Sequence, residues 1–369
     1  MDRNIVLVAV VIAAILIALV LVWPYNRVQP KGPTTCSEVG GSVCSASESC
    51  PGAWLRAFDT NRCCDSECRH IVSVGLDNTP GGIKPATHPF LWEIERDPPS
   101  YLFGTIHVPD DRILALPDSV IAAFEDSDIF YAEIPLDMTT TTYIAGKSML
   151  PRGQTLKALL PNDVYQRAKI YVEAKGYSMS AFNSFKIWAF AGTLALLDYL
   201  DVMLVKQPLD IYLYSAAVSA GKETGGLETA DEQLDIFESF NISEQIMILN
   251  MTLAELEMAE DEGLSVTEEL VETYLSGNET LLLEETMGGM PLNDSLAVKY
   301  GALVLTTRNH RMADRIAHIL ADNPGKSYFF AVGTAHYPGE DGILALLADN
   351  GFSVTRVVSA SAEDPRGLS

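Results

Sequence analysis

Two copies of one short pattern, Gly104-Thr-Ile-His107 and Gly333-Thr-Ala-His336, stand far apart in the chain, each at the end of an apolar run. The runs are Tyr101-Leu-Phe and Tyr328-Phe-Phe-Ala-Val. A buried strand that ends in glycine and then histidine delivers an imidazole to the carboxyl edge of a sheet, where open α/β folds place their ligands. Two such deliveries can make one site. An isolated histidine is more often a core residue satisfied by a backbone carbonyl, but two matched strand ends favour a ligand or catalytic role. Gly104 and Gly333 would let the backbone approach the site closely, or simply bend the strand.

A hydrolase lacking His-Glu-x-x-His needs imidazoles and carboxylates for a divalent ion, a base for its water, and a cation or amide for the developing oxyanion. Glu133 lies near the end of the apolar strand Ile129 to Ile134, where an unpaired carboxylate is costly to bury. It reads as a metal ligand or general base, against the alternative of an edge residue facing solvent. Glu228 is a weaker second carboxylate, because Gly225-Gly226 before it suggest a turn, where acidic residues are ordinary. Arg308 can steady an oxyanion or bind a substrate carboxylate; it also opens a helix bearing Arg311 and Arg315, which a solvated face would equally explain. The expected set is therefore His107, His336 and Glu133 on one divalent ion, with Glu133 and Arg308 catalytic. Imidazole ligands suit Mn²⁺, Co²⁺ or Zn²⁺ better than Ca²⁺ or Mg²⁺. His70, His88, His310 and His318 are assigned surface or structural roles.

The elements that must hold these side chains follow from periodicity. Phe90 to Glu95 and Tyr101 to Val108 read as strands joined through Asp97-Pro-Pro-Ser100. A helix opened by Pro117 and Asp118 and a strand from Asp128 to Ile134 complete a parallel unit. From about Leu156 to Thr286 the i, i+3, i+4 spacing is helical, except for a strand and turn over Glu223 to Thr229. A helix from Arg308 to Leu320, the strand from Tyr328, a helix from Asp341 to Asp349 and a strand near Phe352 to Val358 complete the order.

Every residue from Ile5 to Trp23 is apolar, close to the length that crosses a hydrocarbon core of roughly 30 Å. A cleaved signal peptide would have a shorter apolar region of about 7 to 15 residues followed by small residues, whereas this run ends in Trp23-Pro24-Tyr25. All 6 cysteines, Cys36, Cys44, Cys50, Cys63, Cys64 and Cys68, fall in the following Ser-, Gly- and Glu-rich stretch. An even cysteine count there reads as disulfides in an oxidising compartment, with the pairing open. Metal binding is the weaker reading, since Cys63 and Cys64 are adjacent and no Cys-x-x-Cys is present. The protein is thus expected to be single-pass, with its main domain outside the cytosol.

The formal charge of −24 is spread along the 369 residues, which favours solubility of the large domain and argues against nucleic acid, whose phosphates need a basic face. No Gly-x-Ser-x-Gly elbow and no phosphate-binding Gly-x-x-x-x-Gly-Lys-Ser/Thr loop is present. The expected fold is α/β: a mixed, mainly parallel sheet with a large helical insertion, preceded by a membrane anchor and a small cysteine-rich segment. The expected boundaries are residues 1–25 for the anchor, 26–87 for the cysteine-rich segment and linker, and 88–369 for the main domain.

Six segments in order carry a resemblance. They are Tyr101 to Pro109, Tyr131-Ala-Glu133, Leu150 to Leu156, Gly226-Leu-Glu-Thr229 with Glu232-Gln233, Arg308 to Ala313, and Val332 to His336. Together they resemble the ordered motifs of the TraB/GumN/TIKI superfamily, from about His88 to near the C terminus. The resemblance implies an erythromycin-esterase-like α/β core and, for TIKI-like members, a metal-dependent protease of the extracellular face acting on a peptide or protein. Other members are linked to peptide-pheromone shutdown, which keeps a non-catalytic peptide- or metal-binding protein of the same fold as the rival reading. Residues 1 to 87 lie outside the resemblance.

Overall fold

The computed structural model describes residues 85–203, 205–282 and 295–358, together with short pieces between 35 and 70. Two units separate, Leu21–Asn78 and the chain from Thr79 onward. The expected anchor over residues 1–25 lies outside the described residues. Among the described helices none is long and apolar enough to cross a membrane.

In the smaller unit Cys63–Cys64 forms a short strand between Ser42–Val43 and Trp54–Leu55, both antiparallel to it. Cys36 and Cys63 are bridged with their Cα atoms 5.4 Å apart, and Cys64 is also disulfide-bonded. A Cβ on Gly41 would lie 2.3 Å from Cys63 Sγ, so only glycine fits beside the bridge. Disulfides replace the core this apolar-poor stretch lacks. Thiol labelling of the unreduced, denatured chain is expected to find few free cysteines, and six reactive thiols would contradict it.

The larger unit is built on a six-stranded sheet. Its strands are β1 (Leu91–Ile94), β2 (Ser100–Thr105), β3 (Ile129–Ala132), β4 (Glu223–Gly226), β5 (Tyr328–Gly333) and β6 (Val354–Arg356). The spatial order is β6-β1-β2-β5-β3-β4; β2, β5, β3 and β4 run parallel, and β1 and β6 are antiparallel. This is the mixed, mainly parallel sheet expected from the periodicity. Helices flank it: α1 (Asp118–Asp126), α2 (Met138–Lys147), α3 (Asn162–Ala174), α4 (Ile187–Ala195), α5 (Leu209–Ser219), α6 (Ala230–Glu238), α7 (Ile242–Asp261), α8 (Val266–Ser276), α9 (Thr307–Asp322) and α10 (Ile343–Asp349). The helical insertion therefore falls between β3 and β5, interrupted only by β4.

β5 is central and buried along its whole length, as a strand covered on both faces must be. Alternate residues serve opposite faces. Phe329 packs on Phe103, Phe130 and Phe124 of α1, with ring centroids 5.5 to 6.0 Å apart. Phe330 packs instead on Tyr131 and Tyr328. Each buried aromatic contributes about 1.5–3 kcal/mol relative to exposure, so this strand is a rigid mount for the residues beyond its carboxyl end.

Gly104, at the end of β2, is required by space. A Cβ there would lie 2.8 Å from Phe90 Cβ and 2.9 Å from Thr334 Oγ1. Gly104→Ala is expected to destabilise the chain by about 1–3 kcal/mol through overpacking, read as a lowered Tm. An unchanged Tm would mean that Phe90 and Thr334 yield freely.

Candidate functional site

Four neighbouring parallel strands end at one edge, and each delivers a polar side chain just beyond its last residue. His107 follows β2, His336 follows β5, Glu133 follows β3 and Glu228 follows β4. The register makes them neighbours: Gly333 lies opposite Thr105, Ala331 opposite Ala132, and Ala132 opposite Gly226. Beyond the strands the pairing continues, with the Glu228 N–H donating to the Glu133 carbonyl at 2.6 Å and the Thr334 hydroxyl to the Thr105 carbonyl at 2.7 Å.

Arg308 enters from the first turn of α9. The residues before it, Ala302–Thr306, form a π-helical turn, the wide turn often found at functional sites. Its guanidinium is wholly buried. Nε and Nη2 donate to Glu228 Oε2 at 2.8 and 2.6 Å, Nη2 also to Glu133 Oε2 at 2.5 Å, and Nη1 lies 3.1 Å from His336 Nε2. Gln233 donates to both carboxylates at 3.2 Å, the Gly333 N–H to Glu133 Oε1 at 2.7 Å, and Arg311 to Glu228 Oε1 at 2.9 Å. Gln233 is held for this by a capping box, Thr229 with Glu232, at the start of α6. Thus Glu228, which read as a turn residue, is fully buried, and Arg308 does not share the solvated face of Arg315.

The donors around His336 settle its tautomer. An arginine only donates, so Nε2 accepts from Arg308, and Nδ1 donates to Asn309 Oδ1 at 2.6 Å. Burial, reinforced by the Arg308 charge, lowers the pKa of His336 from 6.5 to about 3, so the ring is neutral. Burial is the largest influence on Glu133 and would raise its pKa, but Arg308, the two histidines and the Gly333 N–H together hold the carboxyl well below the usual range. A carboxylate held so low stays ionised beside the arginine.

His107 bonds to a different carboxylate and acts on Glu133 and His336 through its charge field. Its Nδ1 lies 2.6 Å from Asp210 Oδ2, and Asp210 Oδ1 accepts from the Thr105 hydroxyl at 2.5 Å. The imidazole is 14% exposed against 0% for His336, so His107 is the ring that a solute can reach. Asp210 was absent from the sequence-derived set, as were supporting roles for Gln233 and Asn309. Its signal was a carboxylate within α5, whose neighbours Leu209, Ile211, Leu213 and Tyr214 are all buried.

Two imidazoles and a carboxylate are the donor types for a divalent transition ion. As they stand they do not fit one: among the described residues no three His, Cys, Asp or Glu side chains are grouped to hold a metal. His336 Nε2 and Glu133 Oε1 are 3.9 Å apart, but the Arg308 guanidinium bonds to both residues and already supplies the positive charge there.

The geometry defines an α/β protein with a buried histidine–carboxylate–arginine cluster at the carboxyl edge of its parallel strands. The chain belongs to the TraB/PrgY/gumN family, which it matches over residues 90–356. Metalloprotease TIKI1 of Xenopus tropicalis is 31% identical to it over 309 residues, 72% of this chain and 61% of the relative. Metalloprotease TIKI1 of Homo sapiens is 31% identical over 313 residues, again 72% and 61%. A Metalloprotease TIKI homolog of Amphimedon queenslandica is 27% identical over 318 residues, 73% and 61%. The matched stretch therefore spans about three fifths of each relative's length. No solved structure matches the chain.

The cluster makes two outcomes testable. Arg308→Met leaves two buried carboxylates facing each other and is expected to cost about 3–5 kcal/mol in unfolding free energy; Arg308→Lys should recover little of it, lacking the planar fork. Loss of less than 1 kcal/mol would mean that the cluster is not closed. For His336, the unfolded ring takes up a proton near pH 6.5 that the folded ring refuses until about pH 3. Its contribution to stability is therefore full above pH 6.5 and declines as pH falls towards 3. Between pH 7 and 5 the Tm of His336→Gln should depend less on pH than that of the parent; equal slopes would contradict the buried neutral ring.

Proposed function

We propose that this chain is a membrane-anchored peptidase that cleaves peptide bonds in extracytoplasmic proteins or peptides. The observation carrying this reading is the convergence of His336, Glu133 and Glu228 on one buried arginine, with His107 delivered to the same edge by the neighbouring strand. Folding alone does not require such a cluster, because buried ion pairs are weak contributors to stability compared with apolar packing. Kinship with proteins named metalloproteases supports the peptide substrate and a requirement for a divalent ion, Mn²⁺, Co²⁺ or Zn²⁺. The ion is proposed from kinship alone, since Arg308 occupies the place between His336 and Glu133.

The chain's own residues have parts that do not depend on the ion. His107 is the reachable imidazole and holds or moves the proton of the attacking water. Arg308 is sealed from solvent, so it acts by its field and by fixing Glu133 and His336. Placement outside the cytosol rests on the cysteine-rich stretch, where Cys36 and Cys63 are joined. The apolar run from Ile5 to Trp23 supplies the anchor.

Incubation of the purified full chain with a peptide library is expected to yield cleavage that disappears with chelator and returns with Mn²⁺, Co²⁺ or Zn²⁺. His107→Ala should lower kcat by about 10²–10⁴-fold with the fold retained. Undiminished cleavage by ion-free protein would remove the metal and leave Arg308 as the site's cation. Tight peptide binding with no cleavage under any ion would instead favour a binding protein of the same fold.

A further inference from the structure

We propose that Asp210 is the positioning residue of this site: it holds His107 with the proton on Nδ1, which makes Nε2 the acceptor nitrogen of the ring. The proposal rests on the peptidase reading for its purpose, and on geometry for its substance. Both oxygens of the Asp210 carboxylate are engaged by a single strand end. Oδ2 lies 2.6 Å from His107 Nδ1, and Oδ1 accepts from the Thr105 hydroxyl at 2.5 Å. Because Thr105 closes β2 and His107 lies just past it, two contacts to one carboxylate fix the rotation of the ring about its bond as well as its distance.

The alternative is a tie that merely docks α5 on the sheet. Apolar contact already does that, since Leu209, Leu213 and Ala217 of the same helix are fully buried. A carboxylate buried among them is an expensive anchor where a leucine would serve, because an ionised group gives up hydration on burial. Its position in the first turn of an 11-residue helix lowers that cost by favouring negative charge there. The two histidines are then oriented by different means. His336 has its Nδ1 satisfied by the neutral Asn309 and its Nε2 by Arg308. His107 has a carboxylate on Nδ1, the arrangement that raises the basicity of the opposite nitrogen whether it takes a proton or binds an ion.

The test reads the ring directly. Two-bond ¹H–¹⁵N spectra of the full chain at pH 8.5 separate the two neutral tautomers, and the loss of one signal in His107→Gln assigns it among 6 histidines. In the parent protein His107 is expected to carry its proton on Nδ1, and Asp210→Ala should shift it to Nε2. A parent His107 protonated on Nε2, or an unchanged signature in Asp210→Ala, overturns the proposal. Asp210→Glu, which keeps the carboxylate, should retain the Nδ1–H form even if Asp210→Ala folds poorly; the Nε2–H form in that variant would also count against it. Where cleavage is measurable, Asp210→Ala should lower kcat roughly 10- to 100-fold with KM little changed. A protein that never cleaves peptides but shows the expected ring signature would refute the peptidase reading and leave this placement of Asp210 standing.

Discussion

The constraint on which the rest depends is the burial of Arg308. A guanidinium cannot shed its proton inside a protein, so its charge must be met by fixed acceptors or the fold is lost. Glu228 Oε2 accepts from both Nε and Nη2 and Glu133 Oε2 from Nη2, and Gln233, the Gly333 N–H and Arg311 add further donors to the two carboxylates. Every element at that edge is thereby fixed relative to the others. β3 and β4 contribute the anions, α9 the cation, α6 the amide and β5 the backbone donor. A network so completely satisfied is rigid, and rigidity is what a site needs if its electrostatics are to be set before a substrate arrives.

The sheet order explains why these partners can meet at all. Parallel strands all point their carboxyl ends one way, so residues distant in sequence arrive side by side without long loops. Glu133 and Gly333 are 200 residues apart and bonded at 2.7 Å. The antiparallel strands β1 and β6 lie at the far side of β2 and bring no residue to the cluster; they extend the core under Trp92 and Tyr337, whose rings lie 4.7 Å apart.

Much of this was legible in the residue order. Alternation and apolar runs marked the strands, and the repeated Gly-Thr-x-His marked their ends. What was not legible is pairing. Glu228 follows two glycines, and Gly226 is there because a Cβ would lie 2.4 Å from Pro135, a packing reason rather than an open turn. Arg308 shares its helix with Arg311 and Arg315, and spacing alone does not reveal which one turns inward. The π turn over Ala302–Thr306 bears on that choice, yet Ala-Leu-Val-Leu-Thr carries no Gly or Pro to announce it. Asp210 hides in a helix that is apolar nearly all round, where the period gives no face to which a lone carboxylate could be assigned.

The repeated motif also shows how far a motif goes. Gly104 to His107 and Gly333 to His336 have the same spacing and adjacent parallel strands, yet their imidazoles end in opposite environments. β5 lies between β2 and β3, so His336 comes down beside Glu133 and Arg308, is sealed at 0% exposure, and is kept neutral. β2 is one strand further from the carboxylates, and His107 keeps 14% of its surface and meets a carboxylate from α5. Identical local chemistry delivers two nitrogens to one edge, and the neighbours on each side divide their labour. One ring completes the charge network, and the other, paired to Asp210, keeps part of its surface exposed.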